Sequence, residues 1–181
     1  MHALSAYCFI VACLVTAWCA AAAAQSPYTG EITRAVKALS DQDIADYLNG
    51  KGMGYAKAAE LNGYPGPAHV LELASDLRLT PEQRARTQQV FNSMQADAIS
   101  LGRAVVHRER ELDASFAEKA VTPKSLAAAV GDIASLQGRL RDIHLRAHLE
   151  QTAILTSEQV RKYGELRGYQ ALPTGKHPHG H

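Results

Sequence analysis

The sequence predicts an all-α protein, a long antiparallel helical hairpin flanked by short helices. Three observations carry that prediction. Apolar residues fill 46% of the 181 positions and aromatics only 6%, so the apolar content rests on Ala and Leu, which favour helix over sheet. Apolar residues recur in steps of three and four over residues 81–119 and again over 124–154. The string Leu79-Thr80-Pro81-Glu82-Gln83 returns as Leu155-Thr156-Ser157-Glu158-Gln159. Each copy reads as a helix start. Thr80 and Thr156 suit the N-cap, where a hydroxyl accepts from an otherwise unpaired backbone N–H. Gln83 and Gln159 fall at the third helical position and reach back to complete a capping box.

The elements follow in order. Residues 1–24 are expected to be an export signal: an apolar run over residues 7–18, then small residues ending at Ala24, where cleavage is expected. That run is too short to span a membrane, so no stable membrane span is expected once it is removed. Cys8, Cys13 and Cys19 all lie inside it, so the mature chain has no disulfide, thiol nucleophile or thiolate metal site. Residues 25–66 form an N-terminal segment of short helices and Gly/Pro breaks. A helix starts at Ser40-Asp41-Gln42-Asp43 and Gly50 ends it. The glycines over residues 50–54 follow a helix and lack the Gly-Lys-Ser/Thr ending, so they read as a connector and not a phosphate loop. A helical turn or two over residues 55–61 precedes a hard break at Gly63-Tyr64-Pro65-Gly66-Pro67.

Residues 67–170 carry the hairpin domain. A compact amphipathic helix is predicted over residues 68–77. The first long helix, 81–119, has the stripe Phe91, Met94, Ala98, Leu101, Val105, Leu112 and Phe116, with Arg108 as its polar step. Val121-Thr122-Pro123 breaks it, with Thr122 as the next N-cap. The return helix, 124–154, has Leu126, Val130, Ile133, Leu140, Ile143, Ala147 and Ile154, interrupted by Gln137 and Gln151. A last helix starts at Thr156 and stops at Gly168. Residues 171–181, rich in Pro, Gly and His, are read as a disordered tail.

Composition excludes several functions. A net charge of +1 lacks the basic excess of a nucleic-acid binder. No nucleophile elbow, P-loop or mature-chain cysteine is present, so an enzyme is not expected. His144 and His148 stand four apart on one helix face, a spacing that lets two imidazoles share a metal. The zinc-peptidase pattern needs Glu after the first His and finds Leu145 instead. If the hairpin turns near residues 121–122, His148 falls opposite Met94 and Gln95, and His144 opposite Ile99. Asp97 and Met94 are then the third-ligand candidates for a divalent transition metal such as Zn, Ni, Co or Cu. His107 is too far along the helix, and His69 approaches only if its short helix folds back. His177, His179 and His181 form a separate weak site on the tail. The opposing reading makes His144 and His148 ordinary edge residues of an apolar stripe. Ala-rich faces also carry interleaved arginines, among them Arg103, Arg108, Arg139 and Arg146, whose stems cover apolar surface while their heads stay wet. Such a face holds other chains loosely, or is simply a solvated face paired with acids at helical spacing.

Both L-T-x-E-Q strings, the export signal, the cysteine-free mature chain and the hairpin between the strings resemble the LTxxQ-motif family of exported stress proteins, the Spy/CpxP-like chaperones. The broad superfamily also includes periplasmic heavy-metal sensors and zinc-resistance-associated proteins. The resemblance covers roughly residues 71–168. It implies a periplasmic, all-α, curved or intertwined homodimer that holds unfolded or misfolded envelope proteins without ATP and requires no cofactor. The strings Leu79, Thr80, Glu82, Gln83 and Leu155, Thr156, Glu158, Gln159 would then mark the scaffold, with function on the helix faces between them.

Overall fold

The computed structural model describes residues 26–169; the expected export signal, the cysteines and the tail histidines His177, His179 and His181 lie outside them. The chain divides between Ile32 and Thr33, and the first unit holds one described 3-10 turn, Thr29–Glu31. The second unit contains six α-helices and, among the described residues, no strand: α1 (Asp41–Leu48), α2 (Lys57–Glu60), α3 (Pro67–Glu72), α4 (Pro81–Ala117), α5 (Pro123–Ile154) and α6 (Ser157–Leu166). This is the expected all-α class, with α4 and α5 packed along each other as the hairpin. At 37 residues α4 is about 55 Å long. No helix among the described residues is long and apolar enough to cross a membrane.

The helix starts follow the sequence closely. Thr80, Thr122 and Thr156 each accept from the backbone N–H three residues on, and Gln83, Ser125 and Gln159 each bond back to the cap. Ser40 and Asp43 do the same for α1. The helix predicted over 68–77 is shorter: α3 stops at Glu72, and residues 73–78 continue as turns. At the end of these turns Arg78 takes a left-handed backbone (φ 52°), and the Leu79 N–H bonds the Ala74 carbonyl at 3.0 Å as the chain enters the next cap.

Two apolar clusters hold the unit together. Around the middle of the hairpin, Val36, Leu39 and Tyr47 close over Ala98, Leu101, Val105, Val106 and Leu140. There α1 crosses α4 at Gly102, where a Cβ would stand 2.1 Å from the Tyr47 carbonyl oxygen, so only glycine permits the crossing. Near the chain's entry and exit, Val70 and Leu77 pack on Tyr163, ringed by Leu73, Leu79, Leu155 and Tyr169. Leu79 and Leu155, one from each repeated string, thus face one cluster.

The stripes are not buried along their whole length. Ala98, Leu101, Val105, Ile133, Leu140, Ala147 and Ile154 are buried, but toward the α4–α5 turn Phe116, Leu126 and Val130 are 53%, 36% and 50% exposed. The expected polar interruption Gln151 is fully buried, and its amide donates to Thr87 Oγ1 at 3.1 Å across the hairpin.

Candidate functional site

The two repeated strings meet. Gln83 Nε2 donates to Gln159 Oε1 at 2.8 Å, and Gln159 Nε2 donates to Gln83 Oε1 at 3.0 Å. Each amide also reaches a carbonyl elsewhere in the fold: Gln83 that of Ile154, at the end of α5 (3.0 Å), and Gln159 that of Leu77, after α3 (3.2 Å). The paired caps therefore clasp the open end of the hairpin, tying the start of α6 to the start of α4 and to the turns that follow α3.

That clasp positions a polar cluster against α5. His144 and His148 are both buried. The His144 ring stacks on Tyr55 at 6.1 Å with an 11° tilt, and the Tyr55 hydroxyl lies 3.2 Å from that of Tyr47. His144 Nε2 is buried with no hydrogen-bond partner. Burial, and then the neighbouring His148, push the His144 pKa below its ordinary value, so the ring is held neutral. His148 Nδ1 lies 2.7 Å from the Tyr64 carbonyl oxygen and 3.6 Å from Glu60 Oε2. Glu60, the last residue of α2, is buried. Its Oε1 accepts from the Tyr163 hydroxyl and stands 3.4 Å from His69 Nδ1 and 3.7 Å from Arg167 Nε. Its Oε2 has no hydrogen-bond partner. Burial, and then the bond to Glu60, raise the Tyr163 pKa far above the ordinary phenol value, so the hydroxyl keeps its proton.

A cavity of about 550 Å³ opens beside this cluster, lined among others by Glu60, His69, Phe91, Met94, His144 and His148. His148, Met94 and Gln95, which counting back from the turn sets at one level of the hairpin, all line this cavity. Asp97 does not join them. It is exposed and, with Met94, lines a different cleft beside Ile143, Arg146, Ala147 and Glu150, which neither His144 nor His148 lines. His69 does fold back, onto Glu60. His107 stays apart, 3.4 Å from Glu111. Among the described residues no three His, Cys, Asp or Glu side chains are arranged to hold a metal ion. Of the four arginines, Arg108 bonds Glu111 at 2.8 Å and faces Asp132 at 3.5 Å, Arg146 bonds Asp142 at 2.6 Å, and Arg103 and Arg139 are exposed.

Sequence reasoning missed Glu60, Tyr64, Tyr163 and Arg167. Glu60 sits in a four-residue helix too short for any periodicity, and Tyr64 acts through its carbonyl, which no sequence pattern encodes. One signal was present: a glycine between two prolines, at Gly66. A Cβ there would lie 2.9 Å from His148 Cε1 and 3.0 Å from Nε2, so the glycine allows the backbone to press against the imidazole.

A family model for heavy-metal resistance matches residues 53–162. The chain belongs to this heavy-metal resistance family. The match runs from the connector after α1 into α6 and so contains Glu60, His69, Met94, His144 and His148. It agrees with the resemblance carried by the two L-T-x-E-Q strings. No curated protein and no solved structure matches the chain.

Proposed function

We propose that the chain is a periplasmic, non-enzymatic binder of a divalent transition metal (Zn, Ni, Co or Cu) at His144 and His148. The observation that supports this most is the buried, unpartnered Nε2 of His144, a residue that lines the same cavity as His148 and Met94. A buried polar atom left unpaired costs about 1–3 kcal/mol, and a metal ion supplies the missing partner. The lowered pKa keeps the ring in the neutral, ligating form. Imidazole nitrogens with a thioether nearby suit Zn, Ni and Cu better than Mg or Ca. Family membership points the same way. The test is a titration of the protein lacking residues 1–24 with Zn²⁺, Ni²⁺, Co²⁺ and Cu²⁺. Tight binding is expected to survive truncation after Pro173 and to be lost in a folded His144→Ala/His148→Ala variant. Affinity unchanged by that double substitution sinks the reading.

A second reading keeps the Spy/CpxP-type role, a homodimer holding unfolded or misfolded envelope proteins. The exposed Phe116, Leu126 and Val130 near the hairpin turn favour it, since two helices alone cannot bury both of their faces. Its test is aggregation of several denatured clients at near-stoichiometric ratios; no suppression ends it.

A further inference from the structure

Glu60 has no part in the metal-binding pair, yet it is the most connected charge in the molecule's interior. Only 9% of it is exposed, and it joins four elements: α2, which carries it, α3 through His69, α5 through His148, and α6 through Tyr163. A buried carboxylate is costly unless its neighbours justify it. Here one oxygen is held and the other is kept beside an imidazole.

The geometry fixes what that imidazole does. The Tyr64 carbonyl has no hydrogen to give, so its 2.7 Å contact with His148 Nδ1 is a hydrogen bond only when Nδ1 carries the proton. Glu60 Oε2, 3.6 Å from the same nitrogen, favours the same form electrostatically. The lone pair then belongs to Nε2, at the far edge of the ring. The Gly66 backbone lies close to that edge; a Cβ there would stand 3.0 Å from Nε2 and 3.3 Å from Glu60 Oε2, so any larger residue would crowd the donor. Ligating histidines in proteins are commonly set in this way, their other N–H given to a carbonyl or carboxylate.

We propose that Glu60 is a positioning residue that, with the Tyr64 carbonyl, locks His148 in the Nδ1–H form and presents Nε2 as its metal donor, while the Tyr163 hydroxyl fixes Glu60 in turn. This rests on the metal reading of His144 and His148. Glu60 acts through His148 and does not itself touch the metal. The carboxylate strengthens the imidazole as a donor, and α6 reaches the site through a phenol that orients it, with Arg167 at the helix end 3.7 Å from Glu60 Oε1. Tyr163 thereby ties the second L-T-x-E-Q helix to binding without contributing a ligand.

The experiment compares wild type, Glu60→Gln, Tyr163→Phe and His144→Ala/His148→Ala. It measures Zn²⁺ affinity by chelator competition and the His148 tautomer by imidazole ¹⁵N NMR in the metal-free protein. Wild type is expected to show Nδ1–H at His148. Glu60→Gln offers an amide donor as well as an acceptor. It is expected to mix the tautomers and weaken Zn²⁺ binding about 10- to 100-fold, the usual loss for such a supporting group. Tyr163→Phe is expected to give a smaller loss in the same direction. A purely structural Glu60 would lower thermal stability without moving the tautomer. Nε2–H at His148 in wild type overturns the proposal. So does wild-type Zn²⁺ affinity in Glu60→Gln while the double His variant has lost binding. If the double variant also binds normally, the underlying metal reading fails instead. Should Glu60→Gln not fold, the wild-type Glu60 ¹³Cδ resonance decides. A large jump on Zn²⁺ addition marks a direct ligand and overturns the proposal; a small shift supports it.

Discussion

The hairpin has two ends, both built around Thr N-caps with capping boxes, and they behave in opposite ways. At the closed end the Thr122 and Ser125 side chains bond within their own box. At the open end Gln83 and Gln159 complete the same box locally and then reach across to pair with each other and with the Ile154 and Leu77 carbonyls. The difference is side-chain length. A serine at the third helical position is exhausted by its cap, whereas a glutamine has an amide nitrogen left over. The same local device is therefore a punctuation mark at one end and a tertiary clasp at the other. The buried histidines, Glu60 and the cavity all lie toward the clasped end, and the exposed stripe residues Phe116, Leu126 and Val130 lie toward the other.

The largest expected effect tests whether burial really differs along the hairpin. Leu140 is 1% exposed beneath α1 and the Val36–Leu39 turn. Leu140→Ala is expected to cost about 2–5 kcal/mol, the loss of a filled core site. The comparable truncation Val130→Ala, toward the closed end, is expected to cost under about 1 kcal/mol. Denaturant unfolding of both variants checks this, and equal losses would mean the closed end is packed against something after all.

The next effect separates the two kinds of capping box. Gln83→Ala removes a back-bond to the cap, a bond to Ile154 and half of an amide pair, and is expected to cost about 1–2 kcal/mol. Ser125→Ala at the closed end loses only the local box, about 0.5 kcal/mol. A double-mutant cycle over Gln83→Ala and Gln159→Ala is expected to give a coupling of about 1 kcal/mol. Additive single losses would reduce the clasp to two independent caps.

The same contrast explains what was legible in the sequence. Helix starts, helix order and the hairpin followed from Thr caps, apolar steps and the breaks at residues 63–67 and 121–123, because those signals are local. The register that places His148 beside Met94 followed from counting back from the turn. The pairing of Gln83 with Gln159 was not readable, since both residues were already accounted for by their own boxes. Glu60 was invisible for a related reason. Its importance comes from contacts 9, 88, 103 and 107 positions away, as the numbers of His69, His148, Tyr163 and Arg167 record, and nothing in its own neighbourhood announces them. Asp97 lines a different cleft from His144 and His148, since counting along a hairpin gives the level of a residue and not its side.

Acid is expected to loosen the clasped end selectively. The His144 pKa is depressed in the folded protein, chiefly by burial. The unfolded chain therefore takes up a proton near pH 6.5 that the native ring refuses. Its contribution is complete above that pH and declines as pH falls toward the folded value. Stability of wild type minus that of His144→Asn, followed by thermal unfolding from pH 7.5 to 5, should shrink on acidification. A difference that grows instead would mean the native site welcomes the charged ring.

The smallest stability effect belongs to the exposed stripe near the turn, and it carries the most functional information. Phe116→Ser and Val130→Ser remove apolar surface that is already half in water, so each is expected to change stability by no more than about 0.5 kcal/mol. If that surface holds unfolded clients, the pair of substitutions abolishes suppression of aggregation while Zn²⁺ affinity at the other end is untouched. If the surface instead covers a second copy of the chain, the pair shifts the protein toward monomer in sedimentation at fixed concentration. Should neither readout move, the stripe is simply the part of the hairpin that α1, α2, α3 and α6 do not reach, and function is confined to the clasped end.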